Sequence, residues 1–137
     1  MRRAWLIDTG PIVALQDRRD RHHAWAKARV SPLKPPLLTC ESVLSEACFL
    51  VQHLPGGPQT VLRMVQQGLL KVRLSLQEEI DAIQRLVTRY ADIPMSLADA
   101  GMVRVSELEE NCALLTCDSD FKVYPGNGRS TIPLVRP

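Results

Sequence analysis

The chain has 137 residues, of which 45% are hydrophobic and 23% are charged. This length suits one ordinary domain with one core, and the apolar content argues against disorder. The net charge is only +2, which excludes a strongly basic binder of the histone kind and an acidic tail protein. We therefore predict a single folded domain over residues 1–137.

The cysteine spacing and the amino-terminal sequence argue against a zinc site, secretion and a membrane span. None of the four cysteines forms a Cys-x-x-Cys pair or precedes a histidine at zinc spacing, which argues against a zinc site. The apolar run that follows Met1 ends at Asp8, which is too early for a secretory signal. The chain also has no run of about 18 apolar residues. We predict a cytoplasmic protein with reduced cysteines and no membrane contact.

The predicted elements alternate between short apolar strands and helices. Strands are predicted at 4–8, 37–39, 69–74, 113–116 and 132–135. Helices are predicted at 10–16, 22–30, 41–53, 59–67, 75–90 and 96–109. Such alternation favours a parallel sheet covered by helices on both faces, with right-handed crossovers between the strands.

Four carboxylates stand where an ionised acid is costly. Asp8 and Asp118 each follow an apolar run, whereas Glu46 and Asp99 are the sole charges in apolar stretches of predicted helices. A buried carboxylate that lacks a partner tends to be neutral, unless it binds a metal. Divalent cations such as Mg²⁺ prefer carboxylate and water oxygens as ligands. These acids are therefore candidate metal ligands.

The predicted topology brings these acids to one edge of the sheet. Asp8 and Asp118 end strands, Asp99 lies in the first turn of a helix, and Glu46 lies in a helix that follows a strand. Ligands of open parallel sheets bind beyond the carboxyl ends of the strands. We predict that the four acids meet there and hold one or two divalent cations.

Each acid also has a purely structural interpretation. Asp8 could accept hydrogen bonds from the turn at Gly10, and Asp118 could form an Asx turn. Ser96 and Asp99 have the spacing of a capping box, so Asp99 could simply cap its helix. Glu46 has the weakest such interpretation, because it lies in mid-helix and its apolar neighbours offer no solvated face.

The sequence disfavours two other enzyme classes. Asp8-Thr9-Gly10 matches the active-site triplet of aspartic proteases, but those enzymes are nearly all β and this chain reads as at least half helical. Phosphatases of the haloacid dehalogenase type need a second Asp two residues after the first, where this chain has Gly10. The alternating charges of residues 17–23 indicate a solvated helix or loop rather than a nucleic-acid patch. None of the three histidines is assigned to the site.

Four sequence motifs carry a family resemblance. They are Leu6-Ile7-Asp8-Thr9-Gly10-Pro11, Ser45-Glu46-Ala47, Met95-Ser96-Leu97-Ala98-Asp99-Ala100 and Leu115-Thr116-Cys117-Asp118-Ser119-Asp120-Phe121. In their order and spacing, the chain resembles the PIN domain family, in particular its compact VapC-type ribonucleases. One such motif is a weak signal, whereas four in order along essentially the whole chain are a strong one.

The resemblance implies a three-layer α/β/α sandwich with a five-stranded parallel sheet, and an endoribonuclease that cleaves RNA. It implies Mg²⁺ or Mn²⁺ as the cofactor, held by Asp8, Glu46, Asp99 and Asp118. It further implies an accessory acid at Asp120 and orienting hydroxyl groups at Thr9 and Thr116. Many family members are toxins that an antitoxin silences by inserting an Arg into the acidic pocket, so an antitoxin protein is a candidate partner.

Alternative functions and assembly remain open at this level. The chain could be a PIN-like module that binds RNA or protein with little or no cleavage. Cleavage of DNA, as in structurally similar flap nucleases, is disfavoured because those enzymes need extra helical arches. We also predict a homodimer, since the apolar helices at 41–53 and 59–67 could pair and the resembled family usually dimerises.

Overall fold

A five-stranded parallel sheet organises the fold. The structure, a computed structural model, describes residues 2–93, 95–118, 125–126 and 130–137. Its strands are β1 Ala4–Ile7, β2 Leu37–Thr39, β3 Leu70–Val72, β4 Cys112–Leu115, β5 Pro125–Gly126, β6 Ser130–Thr131 and β7 Leu134–Val135. The parallel sheet has the order β3-β2-β1-β4-β7, while β5 and β6 form a separate antiparallel pair.

Helices connect and cover the parallel strands, because a parallel crossover needs a long connection that spans the sheet. The helices of the described residues are α1 Thr9–Gln16, α2 His23–Val30, α3 Glu41–Leu50, α4 Gly57–Gln66, α5 Ile80–Arg89 and α6 Leu97–Leu108. Among these residues, no helix has the length and apolarity that crossing a membrane would require. The predicted α/β class with a five-stranded parallel sheet is confirmed.

The core lies around the central strand β1. Leu6 pairs in parallel with Leu38 on one side and with Leu114 on the other. Leu6 and Ile7 are fully buried, and every residue of β4 is buried. Strands covered on both faces by helices are apolar at consecutive positions rather than at alternate ones. This explains why β1 and β4 read as continuous apolar runs that end in polar residues.

Several element boundaries differ from the predictions. Helix α3 ends at Leu50, and residues 51–53 form a turn in which the Val51 amide bonds to the Ala47 carbonyl. Helix α5 begins at Ile80 rather than at residue 75. The predicted cap hydrogen bond exists, from the Glu78 amide to Ser75 Oγ at 3.2 Å, but residues 76–79 form a turn ahead of the helix. A cap hydrogen bond determines where the chain turns, but the residue at which the helix is assigned to begin can differ from it.

The carboxyl-terminal region departs furthest from the predictions. The last strand of the sheet begins at Leu134 rather than at residue 132, although Ile132 is buried. The β5–β6 pair was not predicted, because strands of two residues are too short to show a periodic pattern. Most of the turn predicted at 118–122 lies outside the described residues.

Candidate active site

One cavity lies beyond the carboxyl ends of β1 and β4, beside the first turn of α6. Its volume is about 440 Å³, and its lining residues are Asp8, Thr9, Gly10, Glu46, Ser96, Asp99, Cys117 and Asp118. The four acids singled out in the sequence therefore line one cavity, although they come from four separate segments of the chain. Parallel strands make this convergence possible, since their carboxyl ends meet at one edge of the sheet.

Asp8 is the buried acid of the cavity, with 7% of its surface exposed. Burial raises the pKa of its carboxyl group from 3.8 to about 6. Hydrogen bonds from the Thr9 backbone and the Thr116 hydroxyl oppose this rise, while the negative charges of Asp99 and Asp118 add to it. The charges of neighbouring acids thus reach Asp8 within the same cavity, as expected if the acids share one site.

Two threonine hydroxyls hold the acids in position. Thr116, which is fully buried, donates from Oγ1 to Asp8 Oδ2 at 2.9 Å and accepts from the Asp118 amide at 2.9 Å. Thr9 donates from Oγ1 to Glu46 Oε2 at 3.1 Å. Thr116 thus bonds to two of the acids and Thr9 to one. Their contribution to activity stays a prediction.

Asp99 caps its own helix as well as lining the cavity. Its amide donates to Ser96 Oγ at 3.0 Å, and its Oδ2 accepts from the Ser96 amide at 3.2 Å, which completes a capping box. Burial raises the pKa of the Asp99 carboxyl, and repulsion from Asp118 and Glu46 adds to the rise. The structural interpretation of Asp99 is therefore correct, and it is compatible with a role at the cavity, because the capping box uses only Oδ2.

The prediction that Glu46 has no solvated face is wrong. Its apolar neighbours were expected to deny it a solvated face, yet Glu46 is exposed. Helix α3 buries Val43, Leu44 and Ala47 on one side and leaves Phe49 69% exposed on the outside. An apolar helix segment need not be buried all round, so Glu46 is a solvated acid at the rim of the cavity.

Gly10 is required by a close approach between two segments of the cavity wall. A Cβ atom at this position would lie 2.9 Å from Cys117 Cβ and 3.1 Å from its Sγ. Sequence reasoning missed Cys117 as a lining residue, although its position directly before Asp118 is a usable signal. Burial raises the pKa of the Cys117 thiol to about 11, so the thiol is neutral at physiological pH.

The histidines lie away from the cavity. His23 Nδ1 donates to the Ala14 carbonyl at 2.7 Å, and His53 Nε2 lies 3.4 Å from Asp17 Oδ2. No histidine is among the described residues that line the cavity. The predicted accessory acid Asp120 lies outside the described residues, so its role stays a prediction.

Comparison with known proteins identifies the family. The family model described as PIN domain matches residues 5–127. The chain belongs to the PIN domain family. Ribonuclease VapC26 of Mycobacterium tuberculosis is 27% identical over 132 residues, which cover 93% of this chain and 98% of that protein.

A solved structure shares the fold of this chain. The crystal structure of M. tuberculosis VapC20, described as a sarcin–ricin loop cleaving toxin, matches with a TM-score of 0.74 and 22% sequence identity. The match covers 98% of this chain and 100% of that one. The likeness extends over the whole sheet and its helices rather than over an isolated motif.

The donor set of this PIN domain suits a hard divalent cation, because every acid of the cavity offers oxygen ligands. Among the described residues, however, no group of three or more His, Cys, Asp or Glu side chains is arranged to hold a metal ion by itself. Mg²⁺ commonly keeps several waters and binds through only one or two carboxylates. Four oxygen-donor side chains on an open cavity suit a cation that keeps part of its water shell.

Proposed function

We propose that this PIN domain is a divalent-metal-dependent endoribonuclease that hydrolyses RNA phosphodiester bonds. The observation that carries the proposal is the convergence of Asp8, Glu46, Asp99 and Asp118 on one open cavity. Burial raises the pKa of both Asp8 and Asp99, and repulsion between the acids adds to the rise; a bound cation would offset that repulsion. Similarity to a relative named as a ribonuclease supports the same chemistry.

The cation would be Mg²⁺ or Mn²⁺, held by Asp8, Asp99 and Asp118 directly or through water. When bound, such a cation lowers the pKa of a bound water and stabilises the charge that develops on the phosphate. Metal binding requires ionised carboxylates, so protons compete with the cation. Since the pKa of Asp8 is about 6, metal affinity should rise as the pH increases through that value.

The protein's own side chains would hold the acids in place and accept the proton of the attacking water. Thr116 fixes one oxygen of Asp8 and also receives the amide of Asp118, so it sets the spacing of these two acids. Glu46 is the exposed acid, and Thr9 holds its Oε2. Glu46 is therefore the residue best placed to orient an attacking water or accept its proton.

We further propose that the protein is the toxin of a type II toxin–antitoxin pair. An antitoxin tail that carries an Arg would find four acids on an open cavity, and the paired charges would exclude both metal and substrate. This partner is proposed from the family resemblance together with the exposed acidic cavity.

A homodimer is proposed on the outer surface of α3 and α4. Phe49, Leu50 and Leu62 are 69%, 49% and 57% exposed, which is unusual for large apolar side chains of one region. A second copy of the chain would cover them. A second group of exposed apolar residues, not anticipated from the sequence, surrounds α5 and consists of Leu76, Ile80, Val87 and Leu97.

The test is cleavage of an end-labelled structured RNA in Mg²⁺, in Mn²⁺ and in EDTA. The wild-type protein should cut only with metal. Asp99→Asn should lose at least about tenfold in rate, because the amide keeps an oxygen for the Ser96 cap but loses the negative charge. Asp92→Asn is the matched control, since Asp92 is exposed and lies outside the cavity lining.

Two results would argue against this function. Cutting that persists in EDTA and in Asp99→Asn would show that the cavity is not the active site. RNA binding without cutting in either metal would instead favour the PIN-like binding module. A single-stranded DNA of the same sequence, assayed in parallel, separates ribonuclease from deoxyribonuclease activity.

A further inference from the structure

A cationic and aromatic cluster lies in the segment that connects α1 to α2. Arg21 Nε donates to His22 Nε2 at 3.1 Å. The His22 ring meets the Trp25 ring edge to face, with centroids 6.4 Å apart and an interplanar angle of 72°. Arg21 is exposed, whereas His22 and Trp25 are each partly exposed. The cluster therefore places an exposed positive charge beside an aromatic ring that packs partly against the core and is partly open to solvent.

The packing of α2 on α1 places this cluster close to the acidic cavity. Helix α1 begins at Thr9 in the cavity wall. The His23 ring bonds to the Ala14 carbonyl at 2.7 Å, and Ala14 lies roughly 8 Å from Thr9 along the helix axis at the usual rise per residue. The first turn of α2 therefore packs on α1 about one and a half turns along that helix from Thr9 in the cavity wall.

The charges of the connecting segment also reach the cavity wall. Burial raises the pKa of the Cys117 thiol, the negative charge of Asp20 adds to the rise, and the positive charge of Arg21 opposes it. The connection between α1 and α2 therefore folds back towards the acids rather than extending away from them.

We propose that Arg21 and Trp25 form a subsite that holds single-stranded RNA beside the acidic cavity, with Arg21 on a backbone phosphate and Trp25 stacked on a base. The proposal rests on the proposed ribonuclease function and names how its substrate is positioned. It departs from the sequence-based prediction that residues 17–23 form only a solvated helix or loop, because it assigns Arg21 to the RNA. A cavity of four acids repels phosphate, so a cation at its border would offset part of that repulsion. Arginine contacts to phosphate and aromatic stacking on unpaired bases are the usual means of binding single-stranded RNA.

The local hydrogen bond prepares Arg21 for this role. Its Nε donates to His22, and its two terminal nitrogens have no hydrogen bond or ion pair to any residue that the structure describes, so they can contact a phosphate. The edge contact with His22 likewise holds the Trp25 ring in one orientation. Side chains fixed before binding lose less conformational entropy when the ligand arrives.

The experiment measures binding of a fluorescein-labelled single-stranded RNA over a series of salt concentrations. EDTA is present throughout, so that metal-dependent cleavage does not occur. Trp25→Leu should weaken binding by about fivefold or more, and Trp25→Phe should retain most of it because it can still stack. Arg21→Gln should lower the slope of log affinity against log salt by about 0.7, the value for one phosphate contact on a single strand.

Two further measurements separate a direct contact from a structural effect. In a Trp5→Phe background, RNA should quench the remaining Trp25 fluorescence. Arg29→Gln is the matched control, because Arg29 is also exposed on α2 but lies in its last turn, and its salt slope should equal that of the wild type.

The outcomes distinguish this subsite from the function on which it rests. If Arg21→Gln and Trp25→Leu both bind RNA within twofold of the wild type, or if Trp25 fluorescence ignores RNA, the subsite is overturned even when metal-dependent cutting is observed. If binding depends on both residues but no metal supports cutting, the subsite stands and the ribonuclease proposal falls.

Discussion

At the scale of single residues, a neutral side chain holds the acidic cavity together. Thr116 contacts both Asp8 and Asp118, which follow different strands of the sheet. Its hydroxyl is fully buried, so the loss of either hydrogen bond would not be made good by water. The precision of the acid cluster therefore depends on a residue that carries no charge.

Replacing Thr116 by Val tests this dependence. Valine keeps the shape and removes the hydroxyl, so we expect a loss of about 1–3 kcal/mol in the free energy of unfolding and at least about a tenfold loss in RNA cleavage. Thr39→Val is the control, because Thr39 is equally buried at the end of β2 but its hydroxyl donates to a weak acceptor, Met102 Sδ, at 4.0 Å. The free energy of unfolding is measured by urea denaturation, and activity by the cleavage rate. Equal effects of the two substitutions on both would contradict the role of Thr116 in holding Asp8 and Asp118.

The raised pKa of Asp8 predicts how the stability of the metal-free protein depends on pH. Its carboxyl group has a pKa of about 6 in the folded protein and 3.8 ordinarily, so folding favours the protonated form. The stability that this acid contributes is fully present below pH 3.8 and is lost as the pH rises through about 6. The total loss is of the order of 3 kcal/mol, and Asp99, whose pKa is shifted in the same direction, adds to it.

Asp8→Asn should therefore stabilise the metal-free protein at pH 7 and flatten its stability between pH 4 and pH 7. The amide still accepts the Thr116 hydrogen bond and cannot ionise. Mg²⁺ should raise the melting temperature of the wild type but leave that of Asp8→Asn almost unchanged, because the cation stabilises only a fold that binds it. Chemical denaturation over this pH range, with Asp92→Asn as the control, checks the prediction. A wild-type protein that gains stability from pH 4 to pH 7 without metal would refute it.

At the scale of elements, a glycine sets the distance between α6 and the segment that follows β2. A Cβ atom on Gly101 would lie 2.8 Å from Cys40 Sγ and 3.3 Å from Leu74 Cδ2. Cys40 is buried, so its thiol has little room to move. This contact lies two residues beyond Asp99 in α6, about half a turn, and the height of the helix over the sheet sets the position of that acid.

Gly101→Ala should destabilise the protein by about 1–3 kcal/mol, although alanine is intrinsically better than glycine in a helix by about 1 kcal/mol. Cys40→Ala should create the missing space. In the double variant, much of the loss should therefore be recovered, with a coupling energy of at least about 1 kcal/mol. Urea denaturation of the two single variants and the double variant measures this coupling. Strictly additive losses would show that the two residues do not oppose each other.

At the scale of the whole molecule, the exposed apolar residues of α3 and α4 bear on assembly. We expect light scattering after size exclusion to give a dimer for the wild type. Phe49→Glu should give a monomer that still melts cooperatively, because Phe49 is already 69% exposed and contributes little to the core. Val87→Glu, on the exposed part of α5, is the comparison. A monomer from Val87→Glu alone would move the interface to α5, and a monomeric wild type would contradict the dimer.

Much of the fold was predictable because its signals are local. Apolar runs, proline positions and capping patterns act over a few residues, and they placed the five strands of the parallel sheet in the correct order along the chain. The boundaries were less accurate where local signals compete, as at the start of α5, where the Ser75 turn precedes the helix. The β5–β6 pair gives no such signal and was missed.

The candidate site was predictable in its members but not in its geometry. The sequence by itself determined which acids could converge, because a parallel sheet sends the ends of its strands to one edge. Only the tertiary structure decided that Asp8 is buried while Glu46 is exposed, and that Thr116 bonds to a residue 108 positions away. Burial, hydrogen bonds between distant segments and the pKa values that follow from them depend on how all the elements pack, and no local pattern encodes that packing.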